Sequence, residues 1–200
     1  MRQVAQNYRT GELCLLDLPT PQCRPGGLLV RTRYSLVSAG TELMKIGESR
    51  LSLAGKARAR PDEVRKVLRA VSEQGMAATY RKVNNRLDSY TPLGYSLCGV
   101  VAAVGEDVSG YAVGQRVACG GNQYAVHADY NWVPKNLCVP VPAGLTDESA
   151  AYATVGAIAL HGFRRSEAVL GETAAVIGLG LIGQLLVRIL VAAGVHTVGP

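Results

Sequence analysis

Residues 173–194 read TAAVIGLGLIGQLLVRILVAAG, and three features stand there in a set order. Ala174 to Ile177 form an apolar run with the composition of a buried parallel strand. Gly178, Gly180 and Gly183 follow in GxGxxG spacing, and Leu181, Ile182, Leu185, Leu186, Ile189 and Leu190 then give a helix its apolar side. Each glycine has a physical task in that order: the first permits a tight turn, the second lets backbone approach a pyrophosphate, and the third lets helix and strand pack closely. Amides opening the helix would meet the negative phosphate. The stretch therefore points to NAD or NADP, held by Gly178, Gly180, Leu181, Ile182 and Gly183; the alternatives are a methyltransferase-type cofactor loop and a purely structural turn. A Walker-type loop is excluded, because no Lys followed by Ser or Thr stands after the last glycine. The residue that selects NAD or NADP is expected roughly 20 residues beyond the glycines, at or past Pro200, so the preference stays undetermined.

Outward from this stretch, the chain ends on VHTVGP, which reads as a further strand. Strand, helix and strand do not complete a doubly wound sheet, so the native chain is expected to continue beyond residue 200. On the other side, Thr146 can cap a helix with Asp147 and Glu148 in its first turn, and SAAYATVGAIALHGF is small and apolar enough to pack tightly. Residues 146–200 thus read as the beginning of an α/β dinucleotide-binding domain. Residues 1–145 have another texture. ELCLLDLP and GLLVRTRYSLVS are strand-like runs separated by the turn-rich TPQCRPGG, and strand signals return in LCGVVAAVG, QRVACG, QYAVHADY, NWVPK and LCVPVP. Strands of this length predict a mostly antiparallel, barrel-like domain. It is interrupted from about 42 to 86 by a helical pattern, with Pro61 near a helix start and Val64, Val67, Leu68 and Val71 along one face.

Composition bounds the rest. Two hundred residues at 48% hydrophobic content can bury a substantial core. The net charge of +6 comes from 21 basic and 15 acidic residues and is concentrated in residues 45–86. That local block reads as a solvated helical face or a surface for a phosphate or carboxylate substrate, and without an interleaved aromatic platform it argues against nucleic acid. Five cysteines, with no CxxC among them, argue against a disulfide scaffold and a clustered structural zinc site, and imply a reducing, cytoplasmic setting. No membrane span is expected, since LIGQLLVRILVAAG contains Arg188 and is too short to cross a bilayer.

The barrel-like first part, GVVAAVGEDVSGYAVGQRV, DESAAYATVGAIALHGF and VIGLGLIG together resemble the medium-chain dehydrogenase/reductase superfamily. The resemblance implies a GroES-like, mostly-β catalytic domain over residues 1–145 with a helical insert at about 48–88, followed by the start of a Rossmann domain. It also implies NAD or NADP, a small-molecule substrate and a homo-oligomer. Zinc-dependent members carry Gly-His-Glu where this chain has Gly94-Tyr95-Ser96; a cysteine ligand of theirs falls at Ala39, and a further ligand falls near Thr154, a residue also assigned here to the cofactor side. Alanine offers zinc no donor, and neutral tyrosine and threonine hydroxyls are poor ones. The four-cysteine lobe of many relatives is absent, Gly120 running directly to Gly121 and Asn122. The resemblance therefore implies a zinc-independent member with no metal ligands.

In such a member an oxyanion must be stabilised by hydroxyls, amides or a cation. Thr41, at the position where the family relays a proton, and Tyr95, able to donate one, are the catalytic candidates. Their ordinary readings are a turn threonine and a core tyrosine. Glu42 is read as structural, Cys98 as a buried small residue with no obvious partner, and Tyr80 and Lys82 as surface-helix residues. His127, in an alternating strand, and His161, near a helix end, are read as structural. A closer similarity joins QNYRTGELCLLDLPTPQCRPGGLLVRTRYSLVSAGTE and PLGYSLCG to bacterial bi-domain oxidoreductases associated with cell-surface sugar biosynthesis, some of which continue into a second dehydrogenase domain. That similarity implies a sugar or sugar-nucleotide substrate. A quinone or enoyl reductase and a noncatalytic dinucleotide-binding module remain the alternatives.

Overall fold

A computed structural model describes residues 1–7, 9–50 and 89–199, and between them only residues 65, 69, 72, 73, 75 and 76. The apolar face read at Val64, Val67, Leu68 and Val71, and Tyr80 and Lys82, lie outside the described residues. The protein is a mixed α/β chain that divides into two compact units, Met1–Pro19 with Val37–Leu93, and Thr20–Leu36 with Gly94–Pro200.

The first unit is built on an antiparallel sheet of β1 (Arg2–Asn7), β2 (Leu13–Asp17) and β4 (Tyr90–Pro92), in the order β2-β1-β4. The β1–β2 turn follows from Asn7, whose side-chain oxygen accepts from the amides of Arg9 and Thr10 at 2.9 and 3.0 Å. That contact offers the chain an Asx turn in place of a continued strand. Gly11 closes the hairpin at φ +73°, a conformation that suits glycine. Pro92 is confined to the edge strand, where the ladder tolerates a missing donor. Helix α1 (Ala39–Arg50) belongs to this unit.

The second unit holds a five-stranded antiparallel sheet in the order β7-β3-β5-β6-β8, from β3 (Gly27–Ser35), β5 (Ser96–Val104), β6 (Arg116–Gly120), β7 (Tyr130–Pro134) and β8 (Cys138–Pro140). Side chains two apart along each strand share a face, so Leu28 with Val30, Leu97 with Val101, and Val117 with Cys119 meet Val133 in one buried core. Cys98, one residue out of phase with Leu97, turns to the opposite face and packs with Ala118, Ala150 and Ala151. QYAVHADY, read from sequence as a strand holding His127, is instead mostly turn and bend. Gln123 there has φ +75°, which a strand cannot contain.

Beyond the sheet, Thr146 caps as expected, its Oγ1 accepting from the Ser149 amide at 3.2 Å. The helix it starts, α2 (Asp147–Ala150), is a single turn; α3 (Ala153–Ser166) then begins afresh. Helix α4 (Leu181–Ala192) lies between the parallel strands β9 (Thr173–Ala175) and β10 (His196–Val198) in the chain, as a crossover connection requires. Val176, Leu190 and Val195 form the core of this part, with Phe163 and Leu186 packed against them. The expectation of a buried strand over Ala174–Ile177 needs correction: the strand is Thr173–Ala175, Val176 is buried, and Ile177 is 92% exposed. Among the described strands β9 pairs only with β10; its Ala174 packs against the core while Thr173 and Ala175 are exposed. No helix among the described residues is long and apolar enough to cross a membrane.

Candidate cofactor loop and active-site residues

The glycine loop leaves β9 and opens α4. Gly178 has φ +91°, a left-handed conformation that side chains resist. At Gly183 a Cβ would collide with the carbonyl oxygen of Gly178, so this glycine is required by helix-to-loop packing. Gly180 differs from both. It is the residue before α4, its φ is −71°, and a Cβ built there meets no atom within 4 Å. Space is thus left open at the mouth of a helix whose first turn has no acidic residue and whose N-cap makes no side-chain hydrogen bond. Unsatisfied amides and the positive end of the helix dipole at an open mouth fit a pyrophosphate. Leu181 and Ile182 contribute two of those amides, and Gln184 secures the loop by donating from Nε2 to the Leu179 carbonyl at 3.1 Å.

Thr154 stands in the first turn of α3, half-buried, and a Cβ on Gly120 would come within 2.7 Å of its Oγ1. The structure thus sets this hydroxyl against the end of β6. Tyr95 follows Gly94, which adopts φ +95° and leaves room for His127: a Cβ on Gly94 would lie 2.9 Å from both the backbone nitrogen and Nδ1 of that histidine. His127 Nδ1 lies 2.8 Å from Ser35 Oγ. Tyr95 is half-buried and its carbonyl accepts from the Gly121 amide at 3.0 Å. Among the described residues no hydrogen bond reaches its hydroxyl. Thr41 lies in the other unit, near the start of α1, where Ser38 Oγ donates to its Oγ1 at 3.2 Å. Glu42 is 8% exposed, and its carboxylate accepts from the Ser38 amide at 3.3 Å, a local capping contact in keeping with its structural reading. Ala39 opens the same helix. His161 is an exposed residue within α3. No group of three or more His, Cys, Asp and Glu stands together to hold a metal among the described residues.

Ser96 and Cys98 act together. Alternation along β5 points both toward the α2 segment, where buried Ser96 donates from Oγ to the Ala151 carbonyl at 2.6 Å and Cys98 Sγ donates to Asp147 Oδ1 at 3.7 Å. Cys98 therefore has a partner after all. Burial, helped by the Asp147 charge, pushes its thiol up to about 11, which keeps it protonated and unreactive. Asp147 is the hub: Arg116 Nε donates to Oδ1 at 2.6 Å and Arg33 Nη1 to Oδ2 at 3.0 Å, while Arg116 also reaches the Leu145 carbonyl. Burial alone would push the Asp147 carboxyl up, but the two guanidiniums outweigh it and hold it below the usual range. Beside it, Glu148 pairs with the Tyr34 hydroxyl. In the sequence Asp147 and Glu148 stand out only as first-turn acids. The available signal was the two-residue spacing of Ser96 and Cys98, which puts both on one face of β5. Nearby, Ala118, Val139, Val141, Tyr152 and Gly156 help line an apolar groove of about 270 Å³ that offers no charged group for catalysis.

A curled antiparallel sheet joined to a strand, glycine loop and helix has the arrangement of a GroES-like domain followed by the opening of a Rossmann-type fold. Residues 60–143 match the alcohol dehydrogenase GroES-like domain. The chain is 34% identical over 125 residues to (R,R)-butanediol dehydrogenase of Bacillus subtilis, covering 51% of this chain and 36% of that protein. It is 30% identical over 106 residues to D-guloside 3-dehydrogenase of Shigella flexneri, covering 53% and 30%. A mycobacterial protein solved with NADPH superposes with a TM-score of 0.71 at 22% identity, over 100% of this chain and 52% of that one. The chain thus spans about a third of the length of these two curated relatives and about half of the solved neighbour.

Proposed function

We propose that the protein is an NAD(P)-dependent oxidoreductase that moves hydride to or from a carbonyl or alcohol without catalytic zinc. The observation that carries this reading is the glycine loop, where Gly183 is pressed against Gly178 while Gly180 leaves an open, uncapped helix mouth. Gly178, Gly180 and Gly183, with the Leu181 and Ile182 amides, would hold the pyrophosphate, and Thr154 would support the cofactor side from α3. When bound, the nicotinamide supplies the hydride chemistry, and the protein supplies orientation and charge. Tyr95, whose hydroxyl has no partner among the described residues, donates a hydrogen bond or proton to the substrate oxygen. Thr41, hydrogen-bonded to Ser38, is the proposed proton relay. Alanine at position 39, with hydroxyls at Tyr95 and Thr154, supports a site without zinc. A sugar or sugar-nucleotide derivative is the proposed substrate, supported by the relative named for D-guloside oxidation. A cytoplasmic setting and a homo-oligomeric assembly belong to the same proposal.

The test is binding of NADH and NADPH to the full-length protein by fluorescence and calorimetry, with metal content measured on the same sample. Tight binding of one cofactor with negligible zinc is expected, followed by turnover in a panel of sugar derivatives that falls on changing Tyr95 or Thr41. A folded sample that binds neither cofactor sinks the proposal, and stoichiometric zinc removes its zinc-free part. Tight binding without turnover of sugars, carbonyls, quinones or enoyl compounds would make the protein a binding module instead.

A further inference from the structure

Five cysteines without CxxC spacing gave no pairing in the sequence, yet the sheet brings two of them together. Cys119 on β6 and Cys138 on β8 are cross-strand partners, 1% and 4% exposed, with Cys119 Sγ donating to Cys138 Sγ at 3.6 Å. The Val141 amide donates to the Arg116 carbonyl, which sets the phase of this ladder. Hydrogen-bonded pairs alternate with non-hydrogen-bonded ones in an antiparallel ladder, so Arg116 with Val141 and Ala118 with Val139 are of the first kind. Val117 with Pro140 and Cys119 with Cys138 are then of the second. Pro140 agrees, since it has no amide hydrogen to give. Cys138 agrees too: its N–H goes to the Lys135 carbonyl, and its own carbonyl accepts from Tyr111 Oη at 2.6 Å. Neither backbone group of Cys138 is spent on β6.

Non-hydrogen-bonded pairs bring Cα atoms to about 4.5 Å, inside the roughly 4.4–6.8 Å window that a disulfide spans. Rotation about the side-chain bonds suffices to close the gap between the sulfurs. The other three cysteines have only oxygen partners: Cys14 donates to Ala5, Cys23 to Gly27 and Cys98 to Asp147. We infer that Cys119 and Cys138 form a latent disulfide site, closed by a small peroxide-class oxidant across the β6–β8 edge.

The chemistry balances. Cys138, whose sulfur accepts the Cys119 S–H, loses its proton and attacks one oxygen of hydrogen peroxide. The O–O bond breaks, hydroxide leaves and takes that proton as water, and Cys138 becomes a sulfenic acid. Cys119 then attacks the sulfenic sulfur, the S–O bond breaks, and its proton leaves with the hydroxide as a second water. Two thiols are oxidised by two electrons and one peroxide is reduced to two waters. The hydrogen bond to Cys138 on β8, together with burial, pushes the Cys119 thiol well up. This three-residue strand lies at the sheet edge, and its Val139 is 55% exposed.

The full chain is treated with hydrogen peroxide, quenched, unfolded and alkylated. Three of the five cysteines are expected to take the label, with the intact mass lowered by two hydrogens before alkylation. A dithiothreitol-sensitive peptide pair should join Cys119 to Cys138 and vanish in Cys138→Ser. The link mapped in the unaltered chain decides the matter without any variant. Five labelled cysteines, oxygen retained on either sulfur with no link, or a link through Cys98 instead would overturn the inference.

Discussion

Leu97 and Ile177 sit in two apolar runs that look alike in the sequence, LCGVVAAVG and TAAVIG, yet Leu97 is fully buried and Ile177 is 92% exposed. The difference is one of neighbours. β5 has a strand on each edge, the barrel core against one face and the Ala150–Ala151 turn against the other. β9 has a single strand partner among the described residues, and the core beside it is built on Val176, Leu190 and Val195. Apolar composition records a demand for cover, and topology decides where the cover comes from. The same contrast runs through the polar groups. Ser96, Cys98 and Asp147 spend their hydrogen bonds on one another's elements and lock the sheet to α2, whereas the glycine loop keeps its amides unspent.

The largest expected effect tests the apolar pair directly. Leu97→Ala should cost about 2–5 kcal/mol, as other buried truncations do, while Ile177→Ala should stay within roughly 0.5 kcal/mol, as exposed substitutions do. Urea unfolding of both variants measures this, and equal costs would break the comparison. Within the loop, the glycines separate by role. Gly183→Val should destabilise by roughly 1–3 kcal/mol through overpacking against Gly178 and abolish NAD(P) binding. Gly180→Ala, whose Cβ points into open space, should leave the melting temperature in place and weaken cofactor binding alone. A loss of stability from Gly180→Ala would mean that the open mouth is structural.

Much of this was legible in the sequence, for identifiable reasons. The glycine spacing marked the turn and helix, Thr146 marked a helix start, and runs such as QRVACG and LCGVVAAVG marked strands. QYAVHADY misled because it alternates like a strand while Gln123 adopts a left-handed turn, and alternation records side-chain polarity rather than backbone hydrogen bonding. The helix from Thr146 was read as one because nothing in SAAYATVGA signals a break; the break at Ala151–Tyr152 comes as Ala151 gives its carbonyl to Ser96, 55 residues away. The cysteine pair was invisible for the same reason: Cys119 and Cys138 meet through strand order, which spacing does not encode. The sequence marks Thr41 and Tyr95 only through family resemblance. The structure adds that Ser96, at the position of an acid in zinc-dependent relatives, serves as a clamp.

That clamp gives the next effect in size. Ser96→Ala removes the donor from a buried carbonyl and should cost about 1–3 kcal/mol, the usual penalty of a buried group left unsatisfied. Thermal unfolding checks it. A neutral result would mean that the β5–α2 contact is held by packing of Cys98 with Ala150 and Ala151 alone.

The smallest effect is electrostatic and has a definite sign. The folded-state pKa of Asp147 is depressed below its ordinary 3.8, since its hydrogen bonds to Arg116 and Arg33 overcome the opposing effect of burial. A depressed carboxylate contributes stability that is fully present above its unfolded pKa and is lost as pH falls through the folded one. Arg33 is half-exposed and Arg116 a third exposed, so solvent screens the pair and the contribution is modest. Glu148, also depressed, titrates in the same window, which is why wild type alone does not isolate Asp147. Asp147→Asn keeps an acceptor for Arg116 while removing the charge. The gap in melting temperature between wild type and Asp147→Asn should hold steady above about pH 5 and close toward more acid pH, and it should shrink with added salt. A gap that widens as the pH falls would show that the carboxyl is protonated more readily in the fold than in the open chain, and that the two arginines do not govern it.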